Sequence, residues 1–184
     1  MDEQAVQDDT MWGNVFRKKE HKEKNIYTVL ANIPIFKDLN KKELRAIERI
    51  LHKRTYKTDE VLFHEGDPGV GMYIIETGRV NITLGKEEKL LAVLSDSEFF
   101  GEIALLSETP RTATATAATN CNILGFFQSD LFGLLETNPR MGNKILLRLA
   151  QMIGDRLRFS NLENQQLKMK ISKLEEKTSG KRVS

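Results

Sequence analysis

Cysteine is almost missing from this chain: Cys121 is the only one in 184 residues. A single thiol excludes an intrachain disulfide framework and a thiolate metal cluster. Cys121 instead reads as a small core residue on a strand. Histidine is nearly as scarce. His21, His52 and His64 lie far apart, without metal-ligand spacing, and no nucleophile–base–acid set accompanies them. The expectation is a protein that is not an enzyme and uses no metal or other cofactor. No apolar run approaches the roughly 20 residues of a membrane helix, so no membrane partner is expected. Met1-Asp2-Glu3-Gln4 is acidic and lacks the basic start and apolar stretch of a signal peptide, which makes the expected location cytoplasmic. One-sided charge is also lacking: 28 Lys and Arg stand against 26 Asp and Glu, so nothing forces a nucleic-acid reading.

Hydrophobic content of 40% and charged content of 29% fit one globular domain with helical extensions. Residues 1–25 read as an N-terminal extension. Within it Met11, Trp12, Val15 and Phe16 are spaced to share one face of a short amphipathic helix, and the basic run Arg17–Lys24 is interrupted by acids. Residues 26–140 read as the central unit. Ile26–Asn32 suggests a helix, ended by Ile33 because the residue before a proline favours an extended backbone. Lys41–Leu51 suggests a second helix, with Asn40 as N-cap and Glu43 at capping-box spacing. Its buried stripe is Leu44, Ile47, Ile50 and Leu51.

From residue 52 the pattern changes to short β-rich runs separated by Gly, Asp and Pro. The runs are Val61–His64, Met72–Glu76, Val80–Leu84, Leu90–Leu94, Thr112–Ala118 and Asn122–Phe127. Many short strands at such spacing predict a sandwich or barrel. Gly66-Asp67-Pro68-Gly69-Val70-Gly71 lacks the Lys-Ser/Thr ending of a phosphate loop and reads as a turn. Helix returns at Ser129 or Asp130 and breaks at Asn138-Pro139. Residues 141–177 contain no proline and read as one long helix, and 178–184 as a disordered tail.

The most informative stretch is Phe100-Gly101-Glu102-Ile103-Ala104-Leu105-Leu106-Ser107-Glu108-Thr109-Pro110-Arg111-Thr112-Ala113. Gly101 lets the backbone approach a ligand closely. The helical turn after it leaves amide N–H groups aimed at an anion. Pro110 turns the chain, and Arg111 can reach back with its planar fork to phosphate oxygens. Glu102 would repel a phosphate but suits a donor beside it, such as a sugar hydroxyl. Phosphate and sugar hydroxyl so close together suggest a nucleotide.

This stretch resembles the phosphate-binding cassette of the cyclic nucleotide-binding domain family, which includes the bacterial catabolite activator and the regulatory subunits of cyclic AMP-dependent protein kinase. The resemblance extends over about residues 33–165, and Glu65-Gly66-Asp67, Met72–Ile75 and Gly78-Arg79-Val80 resemble the family's β-roll. It implies an α+β, mostly β fold: a double-stranded, jelly-roll-like β-roll flanked by N-terminal helices and a long C-terminal helix. It also implies that Gly101, Ile103 and Ala104 present amides to a cyclic phosphate, that Glu102 takes the ribose 2′-hydroxyl, that Arg111 pairs with the phosphate, and that Thr112 and Ala113 close the loop. The long helix, aligned on Arg156-Leu157, resembles the dimer helix of the catabolite activator, whose base-contacting pair falls on Ser160 and Asn161.

Ile153, Leu157, Ser160, Asn164, Leu167, Ile171 and Leu174 alternate at spacings of four and three, a heptad seam. The expectation is a homodimer through residues 153–174, parallel if Asn164 fixes the register. The resulting reading is a non-catalytic sensor that binds cyclic AMP, or less favourably cyclic GMP, and passes binding through the C-terminal helix to an unidentified effector. No helix-turn-helix pattern is found, so no DNA binding is expected of this chain alone. The competing readings are the ligand-binding and dimerisation part of a catabolite-activator-like transcription regulator, and a ligand-free dimer scaffold.

Overall fold

The computed structural model describes residues 26–180, with side chains as far as Ser172. The N-terminal helix expected around Trp12, the basic run before it reaches Ile26, and residues 181–184 lie outside the described residues. The two N-terminal helices form as expected, α1 over Ile26–Asn32 and α2 over Lys41–Ile50, with a single 3₁₀ turn at Pro34–Phe36 between them. The α2 cap is reciprocal. The Asn40 side chain accepts from the amides of Lys42 and Glu43, and the Glu43 carboxylate accepts from the Asn40 amide at 2.8 Å.

Eight strands follow: β1 His52–Tyr56, β2 Val61–Phe63, β3 Gly71–Thr77, β4 Val80–Leu84, β5 Lys89–Leu94, β6 Phe99–Phe100, β7 Thr114–Ala117 and β8 Cys121–Phe127. They pair into two four-stranded antiparallel sheets, β1-β8-β3-β6 and β2-β7-β4-β5. Helix α3 (Gln128–Thr137) leads into α4 (Pro139–Gly180). This is the expected β-roll with flanking helices.

Two strands escape the pattern read from sequence. β1 is an edge strand whose residues His52, Lys53, Arg54 and Thr55 are all exposed, so it carries no apolar alternation; its charges suit an unpaired edge. β6 has only two residues, too few for any period. β7 starts at Thr114 rather than Thr112, because Arg111–Ala113 leave the sheet for the turn before it. Helix α4 starts earlier than expected, since Pro139 is well suited to a first helical turn, and continues to Gly180.

The core has two compartments. Met72 and Ile74 of β3 and Leu124 and Phe126 of β8 point at the helices, where they meet Leu30, Phe36, Ile47, Leu131 and Ile145. Alternate residues Ile75 and Ile123 point between the sheets, against Tyr56, Val80, Phe100, Ala115 and Cys121. Cys121 is thus a buried strand residue as read. A strand covered on both faces reads as a continuous apolar run, which is why Met72–Ile75 is so legible.

Among the described residues, the first part of α4 packs on the domain through Met141, Ile145 and Leu149, with the partly buried Met152 and Ile153 packed against the same core. Two ion pairs tie the same part to the N-terminal helices. Lys144 donates to Glu43 at 2.8 Å, and Arg148 grips Asp38 with two hydrogen bonds of 2.5 and 2.7 Å. Arg148 holds the Asp38 carboxyl below its ordinary value, mainly by hydrogen bonding. Burial pushes Glu43 up, but Lys144 and the Asn40 amide together bring it below its ordinary value. A carboxyl depressed in the folded state stabilises above its unfolded pKa, and that contribution is lost as pH falls through the folded value. Thermal unfolding across acid pH is therefore expected to show Tm falling from about pH 5 downward, and the Lys144→Met, Arg148→Met double variant to show a shallower fall.

Candidate functional site

Gly101 follows β6 with φ of 77°, in the left-handed region. A Cβ at this position would lie 2.6 Å from Nη1 of Arg111 and 3.3 Å from the carbonyl oxygen of Gly71. Glycine is required here by conformation and by space. The chain then makes one 3₁₀ turn, Glu102–Leu105, anchored by the buried Ala104 and Leu105. The expected short helix is this single turn. The Ala104 amide donates to the Gly101 carbonyl at 3.2 Å, while the Glu102 and Ile103 amides have no acceptor among the described residues.

A second loop splints the first. The Arg111 amide donates to the Asp67 carbonyl at 2.8 Å, the Gly66 amide donates to the Arg111 carbonyl at 2.9 Å, and Pro68 bridges Pro110. Gly69 lies so close that a Cβ would meet the Thr109 carbonyl oxygen at 2.5 Å. The run Gly66–Gly71 is the turn expected from sequence, and its backbone fixes where Arg111 leaves the chain.

Arg111 is 7% exposed. Its guanidinium lies 4.3 Å from the centroid of Phe63 and 5.4 Å from that of Tyr73. Nη1 donates to the Gly101 carbonyl at 3.4 Å, and Nε has no hydrogen-bond partner. No carboxylate pairs with it among the described residues. Burial lowers its pKa, opposed by Tyr73 and Asp67. A guanidinium ordinarily titrates far above neutral pH and remains a cation in proteins. Such a cation, buried without an anion, is costly.

Glu102 is 4% exposed and is paired with Arg156 of α4. Arg156 also sits over the Phe99 ring, 5.6 Å from its centroid. These groups surround a cavity of about 350 Å³. Of the residues singled out in the sequence, Gly101, Glu102, Ile103, Ala104, Arg111 and Thr112 line it. Ala113 does not line it and sits in the turn immediately before β7. Ser160 and Asn161 do not line it; they are exposed on α4, just beyond Arg156. The sequence reading missed Arg156, Leu94 and Phe99 on the cavity wall and Phe63 and Tyr73 behind Arg111. Arg156, Phe63 and Tyr73 belong to elements remote from the cassette in sequence, so spacing carries no signal for them; Leu94 and Phe99 precede the cassette closely but read as ordinary strand residues. His52 is engaged elsewhere, against Phe127 and Asp130. Among the described residues no cluster of His, Cys, Asp or Glu suits a metal ion, and no helix is long and apolar enough to cross a membrane.

The sequence profile described as cyclic nucleotide-binding domain matches residues 53–138. The Cyclic AMP receptor protein of Thermus thermophilus is 32% identical over 133 residues, covering 71% of this chain and 60% of that protein. A putative potassium channel protein of Rhodopseudomonas palustris is 33% identical over 135 residues, 72% of this chain but 33% of the channel. The chain thus matches only part of these two curated relatives. Among solved structures, the N-terminal domain of a transcriptional regulator from Streptomyces coelicolor superposes with a TM-score of 0.64 at 33% identity, covering 72% of this chain and 94% of that domain.

Two glycines with positive φ separate strain from crowding. Gly66 has φ of 88° and open space around a Cβ, whereas Gly101 has both the strain and the Arg111 contact. Gly66→Ala is expected to lose about 1 kcal/mol, and Gly101→Ala measurably more, by urea unfolding.

Proposed function

Because this chain belongs to the cyclic nucleotide-binding domain family, we propose that it is a non-catalytic sensor that binds cyclic AMP in the cavity between Gly101 and Arg111. The observation that carries this reading is the buried Arg111, which lacks a carboxylate partner and keeps an unpaired Nε. An anionic phosphate compensates that charge with a bidentate, charge-assisted contact. The open amide of Ile103 supplies a further donor for the phosphate, as the sequence motif implies; the amide of Glu102 offers another, which the motif does not assign, while that of Ala104 is donated to the Gly101 carbonyl in this structure. Thr112 lies on the cavity wall, where a base or ribose edge can reach it. The preference for cyclic AMP over cyclic GMP rests on the similarity to the Thermus cyclic AMP receptor protein.

Glu102 makes the site a switch. Its carboxylate is held by Arg156, a residue of α4. A ribose 2′-hydroxyl that donates to Glu102 changes the strength of that ion pair and hence the hold on the helix. The ligand then contacts two states differently, which is what a population shift requires. Ser160 and Asn161 lie next along α4 and reach the base if the helix closes toward the cavity. Beyond the core contacts of α4, Leu157, Leu167 and Ile171 are each more than half exposed, with Ser160 and Asn164 on the same seam. Ile153, the first residue of the seam, packs against the domain core, and the exposed seam that continues from Leu157 supports a homodimer through residues 153–174. The similarity to a transcriptional regulator's N-terminal domain favours one second reading: this chain acts as the ligand-binding and dimerisation part of such a regulator.

Calorimetric titration is expected to show cyclic AMP binding at micromolar or tighter affinity. Arg111→Ala should weaken it more than about a hundredfold without loss of cooperative folding, because a broken buried ion pair costs roughly 3–5 kcal/mol. Near-normal binding by that variant overturns the assignment. Light scattering is expected to give a dimer, and the Leu157→Asp, Leu167→Asp double variant a monomer.

A further inference from the structure

Among the described residues Arg111 has no carboxylate ion pair, and Asp67 acts on its charge only from beyond contact. Most buried guanidinium groups are kept in place by a carboxylate, which occupies the same N–H fork that a phosphate needs. Here the group lies instead on aromatic rings from two different strands, Phe63 of β2 at 4.3 Å and Tyr73 of β3 at 5.4 Å. The rings form a packed bed. Phe63 and Tyr73 stack at 5.6 Å with an interplanar angle of 30°, Tyr73 and Phe100 at 5.6 Å and 27°, and Phe63 and Phe100 at 5.9 Å. Phe100 is the residue next to Gly101, so the bed continues into the cassette. Phe127 braces the far edge of Tyr73, 6.3 Å away and nearly perpendicular.

An aromatic face attracts a cation through its quadrupole, and more strongly where water is excluded. A ring, unlike a carboxylate, makes no ion pair with the N–H groups; at Tyr73 the hydroxyl adds a hydrogen-bonding interaction with Arg111. A carboxylate would have to be displaced before a phosphate entered; an aromatic ring would not. The geometry points to Phe63 and Tyr73 as positioning residues of the nucleotide site, which keep Arg111 buried and charged with its hydrogen-bonding edge ready for an anion. This rests on the nucleotide reading above for its ligand, but the bed itself acts in the ligand-free protein. It also explains how the domain folds stably with an uncompensated cation inside.

The test uses the full chain with Phe63→Leu, Phe63→Tyr, Tyr73→Leu and Arg111→Met, alone and in combination. Two quantities are measured: cyclic AMP affinity by calorimetry and Tm without ligand. Phe63→Leu keeps an apolar side chain but removes the ring. It is expected to weaken cyclic AMP about tenfold, equivalent to roughly 1.4 kcal/mol, while Phe63→Tyr stays within about twofold of the parent. Without ligand, Arg111→Met is expected to raise Tm more in the Phe63→Leu background than in the parent, because there the charge has lost its bed. Additive Tm changes overturn the proposal, as does parental cyclic AMP affinity in Phe63→Leu. If Phe63→Leu does not melt cooperatively, Tyr73→Leu decides by the same criteria, since it removes the second face from another strand. If the parent chain binds no cyclic nucleotide, the functional reading fails, and the ligand-free Tm cycle still decides whether the rings hold Arg111.

Discussion

Burying a guanidinium with no carboxylate beside it is the constraint around which this site is built. The charge is desolvated, so every neighbour must either soften that cost or tolerate it. The Gly101 carbonyl accepts one N–H, the guanidinium lies over the rings of Phe63 and Tyr73, and Nε is left without a partner. Gly101 suits a left-handed backbone, and a Cβ there would push the Arg111 guanidinium from its place. The Asp67 and Pro68 backbone must stay close, because it fixes the segment from which Arg111 emerges. The β-roll supplies the rigidity. Phe63 comes from β2 of one sheet, whereas Tyr73 and Phe100 are cross-strand partners on the paired strands β3 and β6 of the other, so the bed spans the inter-sheet core.

The second organising feature is how α4 is attached. Its first turns are packed and doubly ion-paired to α2 and to the segment before it. Further along, the described contact with the roll is made by Arg156, through Glu102 and the face of Phe99. A helix fixed at one end and held midway by one exposed cation on one buried carboxylate has a clear point of control. In the proposed function, a ligand that engages Glu102 would act on the helix without touching its packed end. This is consistent with the variety of relatives, in which similar domains belong to a channel and to transcriptional regulators.

What was legible in the sequence was local. The cap of α2 depends on Asn40 and Glu43, three residues apart, and it formed as read. The cassette from Phe100 to Thr112 is consecutive, so its glycine, proline and arginine could be interpreted together. β3 and β8 were legible because both faces are covered and their residues run apolar without interruption. The missing parts were long-range. β1 is charged because it is an edge, so burial left no imprint on it. The Glu102–Arg156 pair spans 54 residues and joins two ordinary-looking charges. Phe63 and Tyr73 read as generic strand aromatics; only the fold shows that they lie under Arg111. The position of Ser160 and Asn161, exposed and away from the cavity, depends on the direction in which α4 leaves the domain, which no local pattern encodes.

That direction gives α4 a mechanical meaning. At 1.5 Å per residue, roughly 36 Å of helix lies between Arg156 and Gly180. Treated as a stiff rod pivoting near its packed end, it is a lever arm. A tilt of about 5° at Arg156 would sweep the far tip by about 3 Å over such a length. A rearrangement too small to disturb the β-roll would thus arrive at the distal end as a displacement comparable to the width of a side-chain contact. Amplification of this kind needs no moving part within the domain, only a rigid helix much longer than the surface that anchors it.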